Sequence, residues 1–185
     1  MVGDIYKTSF SAEKTALNYK GNRITYCQLD KMVSAYAGCL KKAGLKVGDK
    51  VVLNCLNSPE FIYSYFGTVR NGAVIVPVNP MLTMEEITYI LKDSEAKFMI
   101  IHPLILQKAK LPKEAAEKAL GIGIIVLDED FHRELTQIPT GNFENFIDEN
   151  AVSTFLYTSG TTGKQKAAML THKNLIVNSE QCYMA

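Results

Sequence analysis

The sequence predicts an α/β fold, a doubly wound and largely parallel sheet with flanking helices, and three observations carry the expectation. The segments at residues 51–53, 73–78, 97–101 and 122–127 are apolar throughout except for Lys97 and show little polar alternation, as strands covered on both faces do. Segments of helical periodicity separate them, and several of these segments begin at residues that cap helices. Strands alternating with helices bury a parallel sheet between two helical layers.

Taken in chain order, Leu17-Asn18-Tyr19 and Arg23-Ile24-Thr25 flank Lys20-Gly21-Asn22 and read as a small hairpin, with Gly21-Asn22 supplying the turn. Thr25 and Gln28 have capping-box spacing, and Leu29, Met32, Val33, Tyr36, Ala37 and Leu40 follow at helical spacing as far as Gly44. After the strand at 51–53, Ser58-Pro59-Glu60 opens a second helix that carries Phe61, Ile62, Tyr65, Phe66 and Val69 and stops at Gly72. Asn79-Pro80 turns the chain beyond the next strand. Thr83 and Glu86 then form another capping box before Ile87, Ile90 and Leu91. A stretch rich in Lys, Glu and Ala links the strand at 97–101 to that at 122–127. Gly121-Ile122-Gly123 lacks both the third glycine and the following helix of a dinucleotide fingerprint. Residues 128–150, acidic and containing Pro139 and Gly141, read as a polar connector.

With 185 residues, 47% hydrophobic and 21% charged, the chain suits one domain or slightly more. Its 20 basic and 19 acidic residues leave a formal charge of +1, which excludes a nucleic-acid footprint and a polybasic membrane anchor. No run approaches the roughly 20 apolar residues of a membrane span, and the first residues lack an apolar signal core, so a cytoplasmic location is expected. Cys27, Cys39, Cys55 and Cys182 are widely spaced, and with His102, His132 and His172 they suggest buried reduced thiols rather than a zinc site.

The chemistry concentrates in Tyr157-Thr158-Ser159-Gly160-Thr161-Thr162-Gly163-Lys164-Gln165-Lys166. Two glycines admit turns that a side chain forbids, four Ser and Thr hydroxyls can donate hydrogen bonds, and two lysines bring positive charge, a combination suited to a polyphosphate. Thr154-Phe155-Leu156-Tyr157 before it reads as a short strand. The spacing is not that of a Walker A loop, since only Thr161 and Thr162 separate Gly160 from Gly163-Lys164, and Gln165 follows where Ser or Thr belongs. On composition alone the segment is equally a solvated turn.

The ordered match decides between these readings. The segment resembles the phosphate loop of the AMP-forming acyl-adenylate synthetases, the superfamily of acyl-CoA ligases, peptide-synthetase adenylation domains and beetle luciferases. Their pattern is roughly Tyr-Thr-Ser-Gly-Thr-Thr-Gly-x-Pro-Lys-Gly, leading to a Leu-Thr-His that opens a helix. This chain agrees through Gly163, keeps Lys166 and continues with Met169-Leu170-Thr171-His172. Gln165 stands in place of Pro, which frees a φ angle, and Ala167 in place of Gly, which requires the backbone there to avoid positive φ. The stretches 44–51, 57–61 and 72–80 resemble the same family in the same order, so the likeness covers nearly the whole chain.

The resemblance implies the N-terminal part of the large domain of such a synthetase, with an alternating region at 1–127, a connector at 128–150, and the phosphate-loop strand, loop and helix at 151–185. The later regions that hold adenine, ribose and the acyl group, and the C-terminal lobe with its catalytic lysine, would then lie outside it. A fragment inactive by itself, with uncovered faces open to self-association, is expected. ATP, Mg2+ and coenzyme A are the implied cofactor and substrates, with a carboxylic acid, a fatty acid foremost, as the molecule activated. Thr158, Ser159, Gly160, Thr161, Thr162, Gly163 and Lys166 would bind the phosphates, with Mg2+ near Thr158. Lys164 occupies the variable position, and His172 reads as an early helix residue rather than a catalytic base. A peptide-synthetase adenylation domain and a non-catalytic nucleotide-binding or interaction module are the alternatives.

Overall fold

The computed structural model describes residues 2, 11–109, 112–138, 148–158 and 165–184. In chain order the elements are β1 (Thr15–Tyr19), β2 (Asn22–Thr25), α1 (Tyr26–Lys42), β3 (Lys50–Asn54), α2 (Pro59–Arg70), β4 (Val74–Pro77), α3 (Met84–Asp93) and β5 (Phe98–Ile101). There follow α4 (Pro103–Lys108), α5 (Lys113–Leu120), β6 (Gly123–Val126), α6 (Glu129–Leu135), β7 (Val152–Thr158), β8 (Lys166–Thr171) and α7 (His172–Met184). One sheet has six strands in the order β6-β5-β3-β4-β7-β8, and β1 pairs with β2 in a separate antiparallel hairpin. Every pairing in the large sheet is parallel except β7 with β8. The doubly wound, largely parallel α/β architecture expected from the sequence is therefore present.

Alternate strand residues feed two separate cores. Val51, Leu53, Ile75 and Ile100 join Leu29, Tyr36 and Leu40 of α1, Val69 of α2, and Phe131 and Leu135 of α6 on one face. Val52, Val76, Met99, Ile101 and Ile124 meet Ile87, Ile90 and Leu91 of α3 and Ala116 of α5 on the other. The direction of each crossover explains this division. Connections through α2 and α6 shift the chain toward β8, whereas those through α3 and through α4–α5 shift it toward β6. Crossovers of one hand must place helices on opposite faces when they move in opposite directions.

Local signals set the helix ends. Thr25 with Gln28 and Thr83 with Glu86 both form reciprocal capping boxes. Helices α1 and α2 cross closely at Gly67, where a Cβ would lie 2.9 Å from the Tyr36 Cβ, so a side chain there would force the helices apart.

Three expectations need correction. The hairpin turn is Lys20-Gly21, with φ of 51° and 85°, and Asn22 already pairs with Tyr19. Both central residues of such a tight turn need positive φ, so the turn lies one residue earlier than Gly21-Asn22. The connector begins with a helix, because the Asp128 carboxylate accepts from the Phe131 N–H at 3.0 Å and Phe131 and Leu135 are buried. The Phe131 ring meets Tyr36 edge-on with centroids 5.1 Å apart. Finally, residues 166–171 form a strand that no pattern in the sequence announces. Among the described residues, no helix is long and apolar enough to cross a membrane.

Candidate phosphate-binding site

The hairpin of β7 and β8 builds the site. β7 lies parallel to β4 through Ile75 and Thr154, so it points the same way as the central strands. β8 returns antiparallel, with Leu156 opposite Ala168, Tyr157 opposite Ala167 and Thr158 opposite Lys166. The chain therefore leaves and re-enters the sheet at one place, at the carboxyl ends of the parallel strands, where open α/β sheets hold ligands. Thr158 and the exposed Lys166 are the two predicted site residues that the structure brings face to face. Ser159, Gly160, Thr161, Thr162, Gly163 and Lys164 lie outside the described residues. Ala167 sits in regular strand and is not among the residues of positive φ, as its side chain requires.

Side chains from both faces fix this hairpin. The Tyr65 hydroxyl of α2 lies 2.7 Å from the Thr154 hydroxyl, and the Ser153 hydroxyl donates to the Leu170 carbonyl at 3.2 Å. From the opposite face α3 reaches both ends of the loop. The Tyr157 hydroxyl donates to the Asp93 carboxylate at 2.6 Å, and the Tyr89 hydroxyl donates to the Gln165 carbonyl at 3.1 Å. Burial, and then the hydrogen bond to Asp93 and its charge, push the Tyr157 phenol well above its ordinary range and keep it a donor. Sequence reasoning missed Tyr89 and Asp93, since both lie off the apolar stripe of Ile87, Ile90 and Leu91 that announces α3.

Beyond the hairpin, α7 starts at a reciprocal cap. The Asn174 amide oxygen accepts from the Thr171 N–H at 3.0 Å, and the Asn174 N–H donates to the Thr171 hydroxyl at 3.1 Å. His172, 1% exposed, takes the Val2 N–H on Nδ1 at 3.3 Å. Its seat in α7 agrees with the expected early helix residue. Burial lowers its pKa below the ordinary histidine value. An unfolded-state histidine gains its proton near pH 6.5 while the buried one resists until lower pH. Stability should therefore be unaffected by His172 above that value and fall as the pH drops below it, by up to about 1.4 kcal/mol per pH unit, until the folded value is reached. Urea unfolding at pH 7.5 and 5.5 measures this loss, and His172→Gln should remove that part of it.

The four cysteines are free thiols, with Cys39 and Cys55 buried, Cys27 half-buried and Cys182 exposed. The expectation of buried thiols holds at Cys39 and Cys55, is met only in part at Cys27, and fails at Cys182, which lies on the exposed side of α7. Burial pushes Cys39 and Cys55 each up to about 11, so neither is a nucleophile near neutrality. No group of three or more His, Cys, Asp or Glu among the described residues could hold a metal ion.

A largely parallel, doubly wound sheet in which β8 returns antiparallel beside β7 defines an α/β protein of the doubly wound class. The chain belongs to the AMP-binding enzyme family, whose pattern matches residues 7–185. It is 34% identical over 167 residues to 4-coumarate–CoA ligase 1 of Petroselinum crispum, covering 87% of this chain and 30% of that protein. It is 30% identical over 164 residues to a linear gramicidin synthase of Brevibacillus parabrevis, covering 89% of this chain and 2% of that protein. The fold superposes on ATP-bound MatB from Rhodopseudomonas palustris with a TM-score of 0.85 at 28% identity, over 97% of this chain and 36% of that one. The chain thus spans about a third of the length of such a CoA ligase.

Proposed function

We propose that this chain supplies the phosphate-binding part of an ATP-dependent, AMP-forming ligase that activates a carboxylic acid as its acyl-adenylate and passes the acyl group to coenzyme A. The observation that carries the reading is the pairing of Thr158 with Lys166 at the carboxyl end of β7 in a chain that matches the AMP-binding enzyme family. Likeness to a CoA ligase over most of the chain supports the thiol acceptor.

In the reaction the carboxylate attacks the α-phosphorus of ATP, a new P–O bond forms, and pyrophosphate leaves. A thiol then attacks the acyl carbon and AMP departs. The protein's part is to position groups and neutralise developing charge. Thr158, Ser159, Gly160, Thr161, Thr162 and Gly163 offer backbone N–H and hydroxyl donors to the β- and γ-phosphates, and Lys166 adds charge to the departing pyrophosphate. Mg2+ suits this site if the phosphates themselves hold it, because it is a hard cation that keeps water and phosphate oxygens as ligands and needs no carboxylate cluster. The Thr158 hydroxyl would join that shell. When bound, the ion would neutralise charge on the leaving group.

The full-length gene product should exchange labelled pyrophosphate into ATP only when a suitable acid is present, tested across fatty and aromatic acids. Adding coenzyme A should then convert the adenylate to a thioester with release of AMP. Exchange followed by loading of a carrier protein, with coenzyme A inert, would favour the peptide-synthetase reading that the gramicidin synthase likeness keeps in play. No acid-dependent exchange across the panel would exclude both.

A further inference from the structure

We propose that Tyr89 is a positioning residue for the phosphate loop, its hydrogen bond to the Gln165 carbonyl doing in this chain what proline does at the same place in the family's loop pattern; this rests on the function proposed above. Tyr89 and Asp93 lie four residues apart on α3, one turn apart on one face. Asp93 takes the hydroxyl of Tyr157, the residue before Thr158, and Tyr89 takes the carbonyl of Gln165, the residue before Lys166. Both ends of the loop are thus tied to a single helix.

That helix is a fixed reference. Its capping box closes its first turn, and Ile87, Ile90 and Leu91 anchor its opposite side in the core. Gln165 is where freedom enters. A proline would hold φ near −65°, whereas glutamine leaves it open. The Gln165 carbonyl belongs to the peptide unit that continues into Lys166, so holding that oxygen fixes the plane from which the Lys166 side chain departs. A bond from a rigid phenol on a capped helix therefore restores the order that the missing ring would have given. Tyr89 itself is 36% exposed, so its hydroxyl contributes little to the core.

The test compares the full-length gene product with its Tyr89→Phe, Gln165→Pro and doubly substituted forms, by calorimetric titration with ATP and Mg2+ and by thermal unfolding. Tyr89→Phe removes one hydrogen bond to backbone and is expected to raise the ATP dissociation constant about fivefold, with a matching rise in KM for ATP, little change in kcat and an unchanged melting temperature. Gln165→Pro in the Tyr89→Phe background is expected to restore most of the affinity. Wild-type affinity in Tyr89→Phe, failure of the proline to rescue, or a parallel loss of melting temperature would each overturn the proposal. Lys166→Ala separates it from the parent reading. If Lys166→Ala weakens ATP binding while Tyr89→Phe does not, only the positioning role falls. If the unaltered protein does not bind ATP, the nucleotide reading falls and takes this role with it.

Discussion

Lys166→Ala should slow adenylation by about ten- to hundredfold in the full-length gene product, whereas Lys164→Ala, which removes the same formal charge two residues away, should change it little. A charge-assisted hydrogen bond contributes on the order of 1.5–3 kcal/mol, and about 1.4 kcal/mol corresponds to a factor of ten. Lys166 begins β8 opposite Thr158, and the next rung of the ladder joins Tyr157 to Ala167, so its Cα is held by the sheet while its side chain stays exposed. The proposed function makes a lysine so placed a directed ligand rather than a contributor to a general field. Field effects at exposed positions are screened over about 8–10 Å and would not distinguish two lysines so near each other. Acid-dependent pyrophosphate exchange reads the comparison directly. Equal losses in both variants, or a Lys166→Ala protein impaired only in thioester formation, would show that Lys166 does not serve the departing pyrophosphate.

The sequence revealed most of the fold because its strands are buried on both faces. Residues 73–78 and 98–101 carry unbroken apolar runs that no helix of that length would need, and the capping boxes at Thr25 and Thr83 marked helix starts to the residue. Strand β8 escaped notice for a physical reason. It is an edge strand whose residues are mostly exposed or half-buried, so Lys166, Ala167 and Ala168 carry no alternation that betrays a strand. Helix α6 was hidden by charge: Glu129, Asp130 and Arg133 surround Phe131 and Leu135, and seven residues are too few for a periodic signal. The loop motif identified its own residues, yet not the groups that hold its ends. Tyr89 and Asp93 meet Gln165 and Tyr157 across separations of 76 and 64 residues, and such pairings follow from the sheet order rather than from any local pattern.

Asp30→Ala should destabilise the fold by about 3 kcal/mol, at the low end of the range for breaking a buried ion pair, because Asp30 remains within reach of water. The Arg70 side chain is 3% exposed and its Nη2 lies 2.8 Å from the Asp30 carboxylate, whose side chain is 39% exposed. Nη1 donates to the Ser34 hydroxyl at 2.8 Å, so the guanidinium fastens α2 to two turns of α1. Removing the carboxylate takes a 2.8 Å ion pair from a desolvated guanidinium, and the loss should appear as a lower urea midpoint with an unchanged slope. Replacing both partners, Asp30→Leu with Arg70→Met, should recover most of the loss, since neither charge of this pair is then left unmatched by the other. If Asp30→Ala unfolds at the wild-type urea concentration, the pair is a surface contact in its energetics.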